Sequence, residues 1–419
     1  SAFSYTGNQW QNFYSVGLGW LMSEEEWMKG IEWLDMLKLK GSWGTLGNQN
    51  LDRAYPAEPL LSNAYSAVFG TPSAIYPGYQ LAYLPNPNLR WEKVEAWEVG
   101  AEANFFRNRL HFEGVYYKKK TKDLLAEVPG ISGTVPGIGN LGSIENLGVE
   151  LALSWRDQIG DWNYNVGANL TTIKNKVLSL VQDGYSIIAG DKSQSYTMAG
   201  YPIGYFYGYK VAGVYQSQAD IDASPKNTLA TVTPGDLKFT DVNGDGEITP
   251  EDRTMIGNPT PKVTYGFSLG VDYKNWSLGI DMMGQGGNQI YRTWDNYNWS
   301  QFNFMAQRMD RWHGEGTSNT QPLLNTKHTI NNMNSEYYIE DGSFFRIRNV
   351  SLAYNFDKAL ISKIGMQALK LYVNIQNLKT WKHNTGYTPE LGGSAIAFGV
   401  DDGSYPMPAI YTFGFNLTF

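Results

Sequence analysis

Apolar and polar residues alternate one by one along several separate stretches of this chain. The clearest stretch runs from residue 409 to residue 419 and has small or polar residues at the even positions from 412 to 418. The opposite parity is occupied by Tyr411, Phe413, Phe415, Leu417 and Phe419. Because successive side chains of a β-strand point to opposite faces, this stretch predicts a strand with one apolar face. Its length suits a tilted strand that crosses a bilayer, although the edge strand of a soluble sandwich would alternate in the same way.

The same alternation recurs often enough to predict about eleven strands. They cover residues 14–22, 37–43, 97–105, 110–116, 147–156, 162–170, 263–271, 276–282, 345–356, 369–376 and 409–419. The stretch 345–356 changes phase near Asn349, and one extra residue in a β-bulge would restore its pattern. After the first strand, Ser23 is expected to cap a short helical turn that has Glu26 three residues later.

The connections between these strands alternate between short turns and long segments. The turn at 274–275, for example, is followed along the chain by a loop of about sixty residues. Outer-membrane barrels have short turns at one end of their strands and long extracellular loops at the other. A soluble sandwich has no reason to sort its loops by length in this way. The chain therefore predicts an all-β fold, a transmembrane antiparallel β-barrel with long extracellular loops.

The odd strand count carries a consequence of its own. In an up-and-down sheet with about eleven strands, the first and the last strand run in the same direction, whereas bacterial single-chain barrels have an even number. An open sheet edge is not viable in lipid. We therefore expect the first and last strands to pair with strands from residues outside this sequence. Since the chain begins with Ser1 and has no signal peptide, we also expect an N-terminal portion to precede it.

Composition narrows the function classes. No apolar run among the 419 residues approaches the length of a membrane helix, so a helical membrane protein is excluded. The net charge of −7 argues against a nucleic-acid partner. The absence of cysteine excludes a disulfide framework and a zinc ribbon, and leaves the compartment open. The four histidines have no metal-ligand spacing, and no nucleophile motif or phosphate loop is present, so the chain is not expected to be an enzyme.

Residues 241–252 match the pattern of a calcium-binding loop within a long connection. Oxygen ligands are expected at positions one, three, five, seven, nine and twelve, and Gly246 at position six makes the sharp turn. These ligands are Asp241, Asn243, Asp245, the carbonyl of Glu247, Thr249 and Asp252. Asp252 replaces the Glu of helix-flanked loops, and Ile248 is expected to anchor the loop in a small core. The alternative is a merely acidic turn; we expect a structural Ca²⁺ in the segment 236–253.

A second long loop is rich in aromatic residues interleaved with Asn, Asp, Arg and Gln. Such a surface suits a ligand with an apolar face and a polar rim, for instance a sugar or a peptide. The candidate substrate-binding residues are Trp294, Tyr297, Trp299, Phe302 and Trp312. An aromatic girdle, or packing of the loop on itself, would explain the same residues.

Several segments in this order resemble the C-terminal half of SusC-like TonB-dependent outer-membrane transporters, and the likeness covers essentially the whole chain. The segments are Ser23–Met28, Leu37–Gly44, Gly47–Gln49, Gly200–Lys210, Gly235–Phe239, Asp241–Arg253, Ile256–Pro259 and Tyr265–Phe267. The resemblance implies a barrel of about 22 strands with an N-terminal plug, so that residues 1–419 would form its C-terminal half. That agrees with the strand count, which was obtained from the sequence pattern alone.

The resemblance also implies a function and a set of partners. It implies active import of large nutrients, usually oligosaccharides and sometimes peptides, across the outer membrane of a Gram-negative bacterium. A SusD-like surface lipoprotein would help to capture the nutrient, and TonB would supply energy through the plug. The remaining partners implied are outer-membrane lipid and the N-terminal half of the same transporter. A passive porin or structural barrel is the alternative of another class, and a surface glycoside hydrolase is a more distant one.

Overall fold

The computed structural model describes residues 7, 9–51, 56–128, 137–181, 184–294, 304–324 and 328–419. Eleven long strands form an antiparallel sheet in which each strand lies beside its neighbours in the chain. They are Ser15–Leu21 (β1), Leu34–Asn48 (β2), Glu92–Phe105 (β3), Leu110–Lys122 (β4), Gly142–Ile159 (β5), Trp162–Thr172 (β6), Val263–Tyr273 (β7), Trp276–Gly286 (β8), Phe344–Asn355 (β9), Ala368–Lys382 (β10) and Ile410–Thr418 (β11). The predicted all-β fold and the strand number are confirmed.

The chain divides into two compact units. The first comprises residues 1–151, 174–187 and 198–201, and the second comprises residues 152–173, 188–197 and 202–419. Strands β1 to β4 and the start of β5 belong to the first unit, and strands β6 to β11 belong to the second.

In the first unit, the apolar parity of the strands is exposed. The register pairs Leu18 with Gly41 and Gly41 with Val99, which places Leu18 and Val99 on one face. Leu18 is 79% exposed and Val99 is 62% exposed, so neither packs in a core. The opposite face is charged, and on it Lys40 forms an ion pair with Glu113. This arrangement is the reverse of a soluble sandwich, in which the apolar faces pack against each other.

The second unit repeats this arrangement. Phe413 in β11 lies opposite Val373 in β10, and Phe415 lies opposite Leu371. Phe413 is 76% exposed although it lies in the interior of its strand. A long row of exposed aromatic and aliphatic side chains is unfavourable in water and marks a surface that contacts another apolar phase.

The phase change in the ninth strand is a β-bulge, as predicted. Across the β9–β10 pair, Ile347 lies opposite Lys379 and Asn349 lies opposite Gln376, with a register shift between them. The β8–β9 pair shifts at the same place, between Asp281 and Met282. Arg348 is therefore the extra residue relative to β8, whereas β10 has two residues, Asn377 and Leu378, opposite Arg348. The bulge against β8 keeps the apolar parity of β9 on one face on both sides of it.

The long connections contain short strands that the sequence pattern did not indicate. They are Leu61–Phe69, Ala74–Leu81, Leu125–Val128, Gly137–Asn140, Lys174–Leu180, Ser186–Ala189, Ser195–Met198, Tyr205–Gly208, Val211–Val214, Lys226–Asn227, Leu237–Phe239, Glu247–Ile248, Thr254–Gly257, Gln289–Arg292, Ile339–Asp341, Gly393–Ser394, Ala397–Phe398 and Val400–Asp401. In the second unit these segments enclose the buried apolar core, which we call the loop core. Its fully buried members include Val214, Leu237, Phe239, Ile248 and Ile330.

Helices are short throughout the described residues. The α-helices are Gln218–Asp222 (α1) and Lys358–Ile361 (α2), and the 3₁₀ helices are Met22–Glu24, Pro250–Asp252, Ala306–Asp310, Thr329–Asn332, Glu336–Tyr338 and Ser362–Ile364. In this part of the chain, no helix has both the length and the apolar composition required to cross a membrane.

The expectation that Ser23 caps the first helical turn is wrong. The turn begins one residue earlier, at Met22, and the preceding residue Leu21 makes no side-chain cap. Met22 belongs to the turn because its carbonyl accepts a hydrogen bond from Glu25 N at 3.0 Å. Ser23 therefore lies inside the turn, where its hydroxyl cannot serve as the N-cap.

Candidate metal-binding loop and aromatic residues

The predicted calcium loop is a tight turn in which side-chain oxygens accept hydrogen bonds from the loop's own backbone. Asp241 accepts from Gly244 N at 2.6 Å through one carboxylate oxygen and from Gly246 N at 2.8 Å through the other. Both glycines have positive φ, +78° for Gly244 and +86° for Gly246. Residues with a Cβ adopt this backbone region only with strain, so the two glycines allow the sharp turn.

Asn243 and Asp245 continue the same pattern along the turn. Asp245 N donates to Asn243 Oδ1 at 3.0 Å, and Glu247 N donates to Asp245 Oδ1 at 2.9 Å. The two side chains also meet each other, because Asn243 Nδ2 donates to Asp245 Oδ2 at 2.9 Å. These local bonds are Asx-turns, in which a side-chain oxygen caps the backbone two residues later. They fix the side chains at positions three and five of the loop against its own backbone.

Asp252 closes the loop from a fully buried position. Its carboxylate accepts from Val242 N and Thr249 N, each at 2.8 Å. Burial alone would raise the pKa of Asp252, but the backbone N–H groups of Thr249, Val242 and Asn243 hold this pKa below its usual value. Asp252 is therefore a stably ionised carboxylate that ties both ends of the loop together.

The segment around Glu247 is anchored by a two-residue parallel strand pair. The carbonyls of Gly246 and Ile248 accept from Lys226 N and Thr228 N, each at 3.1 Å, on either side of Glu247. Ile248 has no exposed surface and packs in the loop core, as the sequence predicted. The apolar anchor fixes the orientation of the turn relative to the core beneath it.

This donor set suits a hard divalent cation, since all of its predicted ligand atoms are oxygens. Among the described residues, three or more Asp, Glu, His or Cys side chains do not gather closely enough to hold a metal by themselves. A cation here would depend on the Asn243 amide oxygen, the Glu247 carbonyl and the Thr249 hydroxyl as well as on the carboxylates. The structure brings the side chains of Asn243 and Asp245 together and places Thr249 against Asp252, while Asp241 accepts from the two glycines of the same turn.

Two of the five aromatic candidates, Trp294 and Trp312, lie in the described part of the chain. Tyr297, Trp299 and Phe302 lie outside the described residues. Trp312 is half-buried and packs against the loop core. Trp294 is also half-buried, and the Arg292 guanidinium lies 5.7 Å from the centre of its ring. In the described part of the chain, the indole N–H groups of Trp294 and Trp312 are buried without a hydrogen-bond partner.

A buried ion pair beside Trp294 was missed by the sequence analysis. Arg292 donates to Glu340 Oε1 at 2.8 Å and to the carbonyl of Tyr337 at 3.1 Å. Glu340 also accepts from Thr385, through its backbone N at 2.9 Å and its hydroxyl at 2.6 Å. The partners are 48 and 45 residues apart, so no local pattern could have indicated the contact.

Comparison with known proteins identifies the barrel. The family described as TonB dependent receptor-like, beta-barrel, matches residues 1–378 of the chain. The chain belongs to this family. It is therefore an outer-membrane protein, and the exposed apolar face of the strands is the surface that suits lipid hydrocarbon. The predicted resemblance to SusC-like TonB-dependent transporters is confirmed.

Two curated relatives are much longer than this chain. TonB-dependent receptor P26 of Formosa agariphila is 33% identical over 431 residues, which cover 98% of this chain and 43% of that protein. TonB-dependent receptor SusC of Bacteroides thetaiotaomicron is 27% identical over 434 residues, which cover 98% of this chain and 40% of that protein. The chain thus spans less than half the length of the curated relatives it matches.

A solved structure gives the same result for the fold. The structure of the RagAB peptide transporter superposes with a TM-score of 0.81 and 24% identity, covering 100% of this chain and 44% of that one. This likeness establishes the fold. The matched family and its curated relatives are TonB-dependent receptors, which confirms the prediction that the chain is not an enzyme.

Proposed function

We propose that this chain forms the C-terminal barrel portion of an active importer of large nutrients, primarily oligosaccharides. A SusD-like surface lipoprotein captures the nutrient together with the barrel, and TonB supplies the energy through a plug that belongs to the rest of the transporter. The observation that carries the proposal is the family match over residues 1–378, together with strands whose exposed face is apolar. The relative named SusC supports the same class of transporter.

Oligosaccharides are favoured by the chemistry of the loops in the second unit. Aromatic rings at partly exposed positions there lie beside guanidinium groups, for example Tyr207 beside Arg253 and Tyr337 beside Arg308. Aromatic faces with adjacent polar donors and acceptors suit a ring with an apolar face and a hydroxyl rim. This polar-aromatic surface also argues against a passive pore, which needs no ligand-specific groups.

The test compares growth of the native host with that of a deletion strain on single nutrients. We expect the deletion to abolish growth on one class of oligosaccharide and to leave growth on its monosaccharide intact. A strain without TonB activity should show the same loss, because import is active. Uptake that persists without TonB would contradict the proposal and favour a passive porin.

The specific alternative is peptide import by the same type of transporter. It is supported by the structural likeness to a transporter described as carrying peptides. Growth of the deletion strain on defined oligopeptides separates the two substrates. Loss of growth on peptides with unchanged growth on glycans would establish the alternative.

We propose further that the loop 241–252 binds a structural Ca²⁺. The support is the oxygen-only donor set, the two positive-φ glycines and the Asx-turns between Asn243, Asp245 and Glu247. Replacing Asp241 and Asp245 with Ala should remove the ion, measured as calcium per protein by elemental analysis. Glu251→Ala is the matched control, since Glu251 is an exposed acid in the same loop that is not one of the proposed ligands. An unchanged calcium content in the double variant would refute the site.

A further inference from the structure

A cavity of about 460 Å³ lies in the second unit, next to the C-terminal end of the loop 241–252. Its wall includes Lys192, Tyr196, Tyr207, Arg253 and Asn334. Arg253 directly follows Asp252, the residue that closes the loop. The volume falls within the range of about 300–1,000 Å³ that small-ligand sites occupy.

The wall of this cavity is cationic. It contains one lysine and one arginine, and none of the described residues that line it is an Asp or a Glu. Burial lowers the pKa of Lys192, so the ammonium group is held in a partly dehydrated position. The guanidinium of Arg253 is exposed, and within the described part of the chain it forms no ion pair with a carboxylate. Such a site binds a ligand that carries a negative charge more favourably than a neutral one.

Aromatic rings form the rest of the binding surface. The ring centres of Tyr196 and Tyr207 lie 4.3 Å apart at an angle of 36°. The Arg253 guanidinium lies 5.6 Å from the centre of the Tyr207 ring, which holds the cation beside the aromatic face. Tyr209 also lines the cavity, is largely buried, and stacks on Phe239 with the ring centres 4.7 Å apart. An aromatic face next to a fixed cation suits a ring that bears an acid group.

Hydrogen bonds among the lining residues, and from them to Tyr291 and Pro250, hold the cavity wall in place. Asn334 Nδ2 donates to the carbonyl of Lys192 at 2.8 Å, and Asn334 Oδ1 accepts from Tyr291 OH at 2.9 Å. The backbone carbonyl of Asn334 accepts from Tyr209 N at 2.9 Å. Arg253 Nε donates to the carbonyl of Pro250 at 3.1 Å. The wall is thus formed before a ligand binds, which lowers the entropy lost on binding.

We propose that this cavity binds one acidic sugar unit of an oligosaccharide, with Arg253 and Lys192 on its acid group and Tyr196 and Tyr207 on its ring. The proposal deepens the proposed function and rests on the oligosaccharide being the substrate. The planar guanidinium of Arg253 pairs with a carboxylate through two parallel hydrogen bonds, and the tyrosine faces contact the C–H face of the ring. The amide of Asn332 and the tyrosine hydroxyls lie along the same wall, where they meet the hydroxyl rim.

The test is calorimetric titration of the full-length transporter in detergent with trigalacturonate and with its neutral counterpart, galactotriose. We expect the neutral sugar to bind at least about tenfold more weakly, because a hydrogen bond to a charged group is lost. Arg253→Gln should weaken trigalacturonate binding by about tenfold to a hundredfold. Arg253→Lys keeps the charge and should retain part of the affinity. Lys363→Gln removes an exposed positive charge elsewhere in the same unit and should change nothing.

Three results would overturn the assignment. They are equal affinity for the two sugars, an Arg253→Gln variant that binds trigalacturonate normally, and a peptide carboxylate that binds the cavity more tightly than the sugar. Failure of the proposed function has a different signature. If the purified transporter binds trigalacturonate through Arg253 while uptake by cells does not need TonB, the cavity assignment stands and the active-import proposal fails. If cells import neutral oligosaccharides only, the import proposal stands and the cavity assignment fails.

Discussion

The ion pair between Arg292 and Glu340 is nearly buried, with side chains 6% and 11% exposed. Removing one partner from a buried pair leaves an uncompensated charge, which typically costs about 3–5 kcal/mol. Arg292→Met leaves the nearly buried carboxylate of Glu340 without its cation and should therefore lower the thermal unfolding midpoint of the full-length protein markedly. Asp161→Ala is the control, because its partner Lys274 lies 3.7 Å away in an exposed pair worth about 0–1 kcal/mol. Equal shifts for the two variants would contradict this account.

The lowered pKa of Asp252 makes the loop 241–252 sensitive to acid. A carboxyl group with a lowered folded-state pKa stabilises the fold above its unfolded pKa, about 3.9 for Asp, and this contribution is lost as the pH falls through the lowered value. With a chelator present, so that only protons compete for the carboxylate, the peptide 240–253 should gain hydrogen exchange below about pH 4. Exchange is measured by mass spectrometry and corrected for the intrinsic rate at each pH.

Asp252→Asn is the matched control for this acid step. The amide keeps the size of the side chain and cannot ionise, so its exchange should already be raised at neutral pH and show no further step in acid. An acid step of the same size in Asp252→Asn would assign the titration to another group.

At the scale of the elements, the bulge at Arg348 determines which face of the sheet carries the side chains of the first residues of β9. Because side chains alternate with period two, deletion of Arg348 should move both Phe344 and Arg346 from the polar face to the apolar face of the sheet. Arg346 is buried and forms an ion pair with Glu390, and the deletion would transfer it to the apolar face. We expect a large loss of folded barrel, measured by the gel shift between unheated and boiled samples.

Arg348→Ala is the control for the deletion, since it removes the same side chain and keeps the residue count. Its barrel yield should stay close to that of the parent protein. Failure of both variants to assemble would assign the defect to the lost arginine side chain instead of the register.

The strands could be predicted because each has one apolar and one polar face, but their ends could not. The fifth strand was predicted at 147–156 and spans Gly142–Ile159. Strand residues that extend beyond an apolar band can be polar on both faces, so the alternation ends before the hydrogen bonding does. The short strands of the loops depend on partners far along the chain, as Val211–Val214 does on Leu237–Phe239. Local pattern carries no information about such pairs.

In the candidate site, too, features built from consecutive residues could be predicted and features built from distant residues could not. The tight turn at residues 241–252 was predictable because its side-chain acceptors lie within twelve consecutive residues and it needs glycine at a fixed position. That this turn binds Ca²⁺ stays a prediction. The cavity next to Arg253 was not, because its walls come from residues within 192–196, 207–209 and 332–334, which only the fold brings together. The same separation hid the contact between Arg292 and Glu340.

At the scale of the whole chain, apolar side chains occupy two different kinds of environment. Those of the long strands are exposed, as with Leu18 and Phe413, whereas those of the loop core, such as Phe239, are buried. A water-soluble protein would have to bury the first group as well. The two groups are separated because lipid provides the apolar environment for the strands, while the loops need a core of their own.

Because only one face of the long strands suits lipid, we expect a charged substitution to destabilise the barrel on one face of β11 and to be tolerated on the other. Phe413 lies on the exposed apolar face, and its neighbour Thr412 lies on the other face, opposite Asn374. Phe413→Arg places a charge against hydrocarbon, which destabilises a membrane barrel by about 2–4 kcal/mol near the middle of the bilayer. Thr412→Arg adds the same side chain to the polar face and should be tolerated. Folding of the full-length protein into lipid vesicles, followed by tryptophan fluorescence across a guanidinium series, compares the two. A larger loss in Thr412→Arg would put the polar face in contact with lipid and reverse the assignment of the two faces.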